Sequence, residues 1–251
     1  MAARPAALVT GASYGVGAAT ALALARDGFD VAVTATKKEN LAETLKSLET
    51  AGARAVPVVL DLRDEPSIRS ALLEAAAAFG QLDVLVNNAG ANLRKPAVSV
   101  TPQEWDDVMA INVRGTFFLT QQVGRHFIAA ERKGCIINIA STHGLVGAVE
   151  RSTYGISKAA LIQMTRMLAV EWAEHGIRVN AIAPGRLDTA SPSRAEKGQD
   201  RAYMDAMLKR IPLHRLASAE EVAATAAYVA SPAAASMTGQ VLVLDGGLTA
   251  A

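Results

Sequence analysis

Tyr154 and Lys158 stand four residues apart in "STYGISKAA", so on a helix they share one face, one turn apart. A phenol with a pKa near 10 is a poor proton carrier close to neutrality. An ammonium one turn away favours the phenolate and brings that pKa down, which makes Tyr154 a candidate acid/base. Ser141 closes the run "CIINIAS", and its hydroxyl can hydrogen-bond the oxygen that Tyr154 protonates and hold it in place. Such a set moves a proton on a carbonyl or alcohol oxygen and needs a second agent to move the electrons.

The second agent is suggested by "ALVTGASYGVGAATALALA", a strand, then Gly11, Gly15 and Gly17, then a helix. Gly11 permits the sharp turn, Gly15 lets the backbone approach a pyrophosphate, and Gly17 lets the helix sit close to the sheet. The N–H groups and dipole of that helix start favour an anion. In this context the glycines point to a dinucleotide. An acid at the end of the second strand would bind the adenosine ribose of NAD and repel the extra phosphate of NADP. The run "DVAVTATKKEN" ends on Ala35 and Thr36 with no such acid, and Lys37 and Lys38 follow as point charges within reach of a 2′-phosphate. NADP(H) is the preferred expectation, with NAD(H) as the alternative. The same two lysines also suit a solvated helix start.

The elements that must position these residues follow from patterning. Apolar runs at 6–10, 30–35, 55–60, 84–86, 135–139, 178–182 and 241–244 read as buried parallel strands, and 16–26, 65–79, 153–174 and 219–230 as helices. This alternation predicts an α/β fold, a single Rossmann-type doubly wound parallel sheet of about seven strands flanked by helices. No linker or repeat divides residues 1–251, so one dinucleotide-binding and catalytic domain is expected. Residues 186–215 break the rhythm with mixed charge, Pro192 and Pro212, and a helical patch around 203–208; they read as a substrate lid. Hydrophobic residues make up 51% and charged residues 20%, with a net charge of +1, which gives no electrostatic case for nucleic acid or a membrane surface. The single Cys135 allows no intrachain disulfide and reads as a buried thiol. No His, Cys and carboxylate cluster calls for a metal. The N-terminus does not read as a signal peptide and no run is long enough to span a bilayer, so a cytoplasmic protein is expected.

The glycine turn with spacing Gly11-x-x-x-Gly15-x-Gly17, "NNAG" at 87–90, "AINVRGTFF", Ser141, Tyr154, Lys158, "RVNAIAPG" and the terminal "TGQVLVLDGG" resemble the short-chain dehydrogenase/reductase family over nearly the whole chain. The resemblance implies a ketone and secondary alcohol interconverted by hydride transfer, with Asn112, Ser141, Tyr154 and Lys158 as the catalytic set. It implies that the main chain of Asn112 holds a water linking Lys158 to solvent, and that Asp61 faces the adenine. It implies a cofactor cleft comprising Gly11, Ser13, Tyr14, Gly15, Val16, Gly17, Thr36, Lys37, Asp61, Leu62, Asn88, Ala89, Gly90, Tyr154, Lys158, Pro184, Gly185, Leu187 and Thr189, with Ile182 also bordering the nicotinamide. Tyr14 stands where many NADP-using members carry an arginine. The family also implies a homotetramer or homodimer, for which Trp105, Phe117, Met164 and Trp172 are candidate contacts; core packing explains them as well.

Within the family, the chain is similar to the 3-oxoacyl-acyl-carrier-protein reductases and to gluconate 5-dehydrogenase-like enzymes. The expected substrate is a small carbonyl compound or alcohol, either a 3-oxoacyl thioester or ester or a keto-sugar acid. Arg94 and Lys95 are either a carboxylate lure or plain loop cations. Arg132 matches a basic position at which those reductases dock an acidic carrier protein, while the second such position falls at His175. His143 either borders the substrate or caps a strand end; Glu150 and Arg151 lie at the pocket mouth; Arg186 and Arg194 are lid cations. The alternatives are a non-catalytic NADP-binding regulatory protein, an NAD-dependent polyol or sugar-acid dehydrogenase, and a sugar-nucleotide epimerase or dehydratase, which usually needs a larger C-terminal substrate domain.

Overall fold

Runs of Ala, Val, Ile and Leu without polar alternation are stable as strands only where both faces are covered, and the chain builds such a sheet. The computed structural model describes residues 4–188 and 201–250. In chain order its elements are β1 (Ala6–Val9), α1 (Gly15–Arg26), β2 (Asp30–Ala35), α2 (Ala42–Thr50), β3 (Ala55–Val59), α3 (Glu65–Phe79) and β4 (Val84–Asn87). Then come α4 (Pro102–Met109), α5 (Thr116–Ala129), β5 (Gly134–Ile139), α6 (Ser152–Glu171) and β6 (Ile177–Pro184). The last group is β7 (Leu187–Asp188), α7 (Arg201–Arg210), β8 (Ala217–Ser218), α8 (Ala219–Ala230) and β9 (Val241–Leu244).

Seven parallel strands lie in the order β3-β2-β1-β4-β5-β6-β9, the Rossmann-type sheet expected. The order reverses between β1 and β4, and in such sheets the crevice beyond the strand ends at the reversal is where ligands bind. One face carries Leu24, Val33, Ile137 and Val222 under α1 and α8. The other carries Leu85, Leu119, Phe127 and Ile136 under α3, α5 and α6. Cys135 is buried as expected, and burial pushes its thiol up to about 11.

Boundaries differ from the expectation where pairing or turns decide them. β6 runs to Pro184 instead of Ile182, because Ala183 and Pro184 still pair with Val243 and Leu244 of β9. α6 stops at Glu171, three residues short of the expected end, where a 3₁₀ turn at Ala173–His175 leads to Gly176 at φ 69°. Helices α4 and α5 are joined by a π-helical segment, Ala110–Gly115. Single π turns inside helices often mark functional sites, and this one contains Asn112. At the start of the stretch expected as a lid, β7 pairs with β8 just beyond its end, and α7 covers the helical patch read at 203–208. Thr189, Pro192 and Arg194 lie outside the described residues. Among the described residues no helix is long and apolar enough to cross a membrane.

Candidate active site

The turn between β1 and α1 is built from backbone. Gly11 and Gly15 hold φ at 62° and 60°, a region that side chains other than glycine resist. A Cβ on Gly17 would strike the Gly11 carbonyl oxygen and come within 2.5 Å of Asn88 Nδ2. Asn88 Nδ2 donates to the carbonyls of Thr10 and Gly11, both at 2.9 Å, so it clamps the turn. The N–H groups of Asn88 and Ala89 in turn donate to Thr10 Oγ1 at 2.9 and 3.0 Å. Thr10 and Asn88 therefore lock the "NNAG" strand end to the glycine turn, a role for Thr10 that the sequence reading missed.

Helix α1 has no side-chain cap: Tyr14, at its start, is extended and exposed. Helices α3, α4 and α8 are capped by Asp64, Thr101 and Ser218. Space opens beyond Gly15, where an added Cβ would meet nothing within 4 Å. A bare helix start, positive at its tip and fronted by open glycine, fits a pyrophosphate.

At the adenosine end, Ala35 closes β2 and Thr36 and Lys37 are exposed. Lys38 is engaged with Glu74 at 3.3 Å, which leaves Lys37 as the lysine better placed for a phosphate. The Asp61 carboxylate accepts from Arg63 Nε at 2.9 Å and Nη2 at 2.7 Å. That fork, ahead of the burial that opposes it, holds its pKa below the usual carboxylate range. Leu62 beside it is buried.

The reacting centre is assembled from buried side chains. Lys158 Nζ donates to the Ile139 carbonyl at 2.8 Å and lies 5.7 Å from the centroid of the Tyr154 ring. The group is almost wholly removed from water, and burial pushes its pKa down to about 8. Asn112 is locked from three sides. Its Oδ1 accepts from the Ala91 N–H at 2.7 Å, and its Nδ2 donates to the Ala91 carbonyl and to Ser157 Oγ, both at 2.9 Å. Ser157, between Tyr154 and Lys158, was not singled out by type or spacing; the π turn of Asn112 brings it into play.

Ser141 is buried, and its Oγ accepts from the His143 N–H at 3.2 Å. The turn that follows lies directly on α6. A Cβ on Gly144 would stand 2.7 Å from the Lys158 backbone carbon, and one on Gly155 would stand 2.8 Å from the His143 carbonyl oxygen. Two missing side chains thus let the turn after Ser141 lie directly against α6, the helix that carries Tyr154 and Lys158. His143 sets its ring edge-on to Tyr154 at 6.0 Å. Burial, and then the charge of Arg151, lower the His143 pKa. Gly90 also fronts this centre, 3.2 Å from Asn112 Oδ1 by an added Cβ. Pro184 is buried at the end of β6; Gly185 follows it, and Leu187 lies in β7 of the separate two-stranded sheet.

Asn87 is structural. Its Nδ2 donates to Thr120 Oγ1 and Asn138 Oδ1, both at 2.8 Å, and Asn138 Nδ2 donates to Thr165 Oγ1 at 2.8 Å. This buried polar ladder crosses from β4 through β5 to α6. Arg94 and Lys95 act as structural cations: Arg94 Nε meets Glu150 at 2.7 Å and Lys95 Nζ meets Glu104 at 2.7 Å. Arg132 is paired with Asp83 at 2.6 Å, and His175 is 3.7 Å from Glu174. Trp172 is buried over Gly124, so core packing explains it, whereas Trp105 and Phe117 remain about a third exposed.

A doubly wound sheet with this glycine turn and this cluster of Ser, Tyr, Lys and Asn defines a nicotinamide-dependent oxidoreductase fold, and the chain belongs to the short-chain dehydrogenase/reductase family. A model of that family described as enoyl-(acyl carrier protein) reductase matches residues 11–249. The chain is 38% identical to the 3-oxoacyl-(acyl-carrier-protein) reductase FabG of Thermotoga maritima, over 96% of both chains. It is 35% identical to the gluconate 5-dehydrogenase of Gluconobacter oxydans, over 97% of this chain and 94% of that one. Among solved structures, an actinorhodin polyketide ketoreductase variant with NADPH superposes with a TM-score of 0.92 at 35% identity, covering 98% of this chain and 97% of that one. The chain is an oxidoreductase acting on CH–OH groups.

Proposed function

We propose that this enzyme interconverts a ketone and a secondary alcohol with NADP(H) as the preferred cofactor and Tyr154 as the proton-transferring group. The observation that carries this reading is the buried Lys158 ammonium, fixed on Ile139 and set against the Tyr154 ring. A charge held out of water acts on its neighbour with little screening, so it favours the phenolate that Tyr154 becomes after giving up its proton. In reduction the Tyr154 hydroxyl donates to the carbonyl oxygen; in oxidation it takes the proton back. Ser141 hydrogen-bonds the same oxygen and orients it. Asn112, immobilised by Ala91 and Ser157, keeps its main chain in place for a water on the proton's path between Lys158 and solvent. A nicotinamide cofactor, when bound, supplies or accepts the hydride.

The residues that would hold it are Gly11, Ser13, Tyr14, Gly15, Val16 and Gly17 at the pyrophosphate, Thr36 and Lys37 at the 2′-phosphate, and Asp61 and Leu62 at the adenine. Asn88, Ala89 and Gly90 would line the cleft floor. Tyr154, Lys158, Pro184, Gly185, Leu187 and Thr189 would border the nicotinamide side. The preference for NADP(H) over NAD(H) is supported by the missing acid at Ala35 and Thr36, by exposed Lys37, and by the NADPH of the ketoreductase relative. Residues 1–251 act as one domain, with 186–215 on the substrate side.

The relatives named for 3-oxoacyl groups and for gluconate point to a carbonyl substrate bearing a second oxygen function. A free small molecule is favoured over a carrier-bound one, because the Arg132 guanidinium is already matched by Asp83. A groove of about 840 Å³ between α5 and α6, lined by Val113, Phe117, Gln121, Met164 and Met167, supports a homo-oligomer whose second copy fills it; light scattering on the purified protein tests this. The cytoplasm is the proposed location. Tyr154→Phe tests the central reading: turnover of NADPH with activated ketones should fall about 10²–10⁴-fold while NADPH affinity stays within about threefold by fluorescence titration, and a variant that keeps its rate overturns it.

A further inference from the structure

Two hydroxyls must meet on one substrate oxygen, yet Ser141 caps the 3₁₀ turn Thr142–Gly144 while Tyr154 rides on α6. One residue touches both of them. The His143 N–H donates to Ser141 Oγ at 3.2 Å, and the His143 ring stands edge-on to the Tyr154 ring, with centroids 6.0 Å apart and an interplanar angle of 83°. The first contact gives Ser141 a polarity. With an N–H aimed at its oxygen, the hydroxyl hydrogen is the part left to reach the substrate, so Ser141 donates to a carbonyl. The second contact has the spacing and orientation at which the positive edge of one ring meets the negative face of another.

A spacer works only if it is itself immobile, and the backbone of His143 is seated on α6. Its carbonyl oxygen would stand 2.8 Å from a Cβ on Gly155, the residue after Tyr154. A Cβ on Gly144, the next residue of the turn, would stand 2.7 Å from the Lys158 backbone carbon. The Gly144 N–H donates to the Ser141 carbonyl and the Val146 N–H to the Thr142 carbonyl, both at 2.9 Å, which closes the turn around His143. The ring is half-buried, and neither of its nitrogens has a hydrogen-bond partner among the described residues. The body of the ring, not a polar atom, is therefore what meets Tyr154. The two neighbours of the Tyr154 ring differ in kind: Lys158, 5.7 Å from its centroid, supplies charge, and His143 supplies shape.

We propose that His143 is a positioning residue that sets the separation of the Ser141 and Tyr154 hydroxyls, and through it the face of the ketone offered to the cofactor. This rests on the carbonyl-reductase reading and deepens it. The backbone N–H of position 143 survives any substitution except proline, so a side-chain change removes only the hold on Tyr154. A phenol left free to tilt still gives up its proton, but to a carbonyl oxygen steered by Ser141 alone. The two prochiral faces of the ketone are then less well separated.

The test uses the full chain with NADPH and two prochiral ketones, ethyl 3-oxobutanoate and 2,2,2-trifluoroacetophenone. His143→Leu keeps apolar bulk and removes the ring. Its kcat should fall about three- to tenfold, the size expected for one aromatic pair, and the enantiomeric excess of the alcohol should fall with it. The solvent isotope effect on kcat should rise, because proton delivery from a loosened Tyr154 is slower. KM for NADPH should stay within about threefold. His143→Phe, which restores a ring, should recover most of kcat and of the enantiomeric excess. A merely structural role would lower Tm and cofactor affinity and leave the enantiomeric excess of the remaining turnover alone, and that result overturns the proposal. A His143→Leu enzyme with wild-type kcat and enantiomeric excess overturns it too. So does recovery by His143→Gln but not by His143→Phe, which assigns the work to a ring nitrogen. In each of these cases the carbonyl-reductase reading stands; a wild type that oxidises no NADPH with either ketone overturns that reading, and the proposal falls with it.

Discussion

The two ends of the cofactor crevice are made in opposite ways. The β1–α1 turn is a backbone device: two glycines at positive φ, a third with no room for a methyl, and a helix left uncapped. The reacting centre is a side-chain device, in which Lys158, Asn112, Ser157 and Ser141 are buried and each polar atom has an assigned partner. The contrast follows from what each must do. A dianionic pyrophosphate is best met by several N–H groups at close range, where any side chain is an obstacle. A proton donor needs one hydroxyl held to within a fraction of an ångström, which calls for a supporting shell. Damage to the first region should therefore appear in cofactor affinity, and damage to the second in turnover.

The sharpest way to break the second region alone is Lys158→Met, which should lower kcat about 10²–10⁴-fold. The same variant carries a stability signature. Lys158 titrates at about 8 when folded and near 10.4 when unfolded. Between those values the unfolded chain holds more protons, so wild-type stability should rise with pH across that window. Urea denaturation at pH 7.5 and pH 10 should show that rise in the wild type and lose it in Lys158→Met; a persistent rise would assign it to another group. Reductive kcat/KM of the wild type should fall above about pH 8 as the same ammonium is lost.

Next in size is Gly17→Val in the first region. Its side chain collides with the Gly11 carbonyl and Asn88, and overpacking of about 2–3 kcal/mol should weaken NADPH binding roughly 30–160-fold by titration, with a smaller loss of kcat at saturating cofactor. An equal loss of kcat would dissolve the division between the regions. Ala35→Asp, at the rim of the first region, should shift the NADPH-to-NADH ratio of kcat/KM about tenfold towards NADH, about 1.4 kcal/mol; an unchanged ratio would remove the cofactor argument. The smallest effect is expected for Ser157→Ala, which deletes one acceptor of Asn112. A single lost partner costs about 1–1.5 kcal/mol, so kcat should drop about five- to tenfold with KM for NADPH unchanged.

The same division explains what was legible beforehand. The glycine turn, the strand runs and the Tyr154–Lys158 pair are local patterns, and each could be read from spacing within one element. The supporting shell is not local. Asn112 meets Ser157 across 45 residues, Asn88 meets Thr10 across 78, and Arg94 meets Glu150 across 56. Arg94 and Lys95 therefore looked like candidates for a substrate carboxylate until their own carboxylates were seen. Asn138, an amide in the middle of the apolar run "CIINIAS", was the one visible sign of the buried ladder, since a polar side chain there must find a partner. The π turn had no local sign; its last residue, Gly115, packs so closely on the Leu62 carbonyl that a Cβ there would collide with it, a contact across 53 residues.

The uncapped start of α1 has a consequence for the protein's lifetime. Helices α3, α4 and α8 end exposed N–H groups on a side chain, while α1, like α2 and α6, has no such cap and opens onto the glycine turn. A nucleotide that occupies the site thereby finishes the fold as well as serving the reaction, and at a concentration 100 times its Kd it adds about 2.7 kcal/mol to stability. Resistance of the purified enzyme to proteolysis should therefore rise with the concentration of that nucleotide.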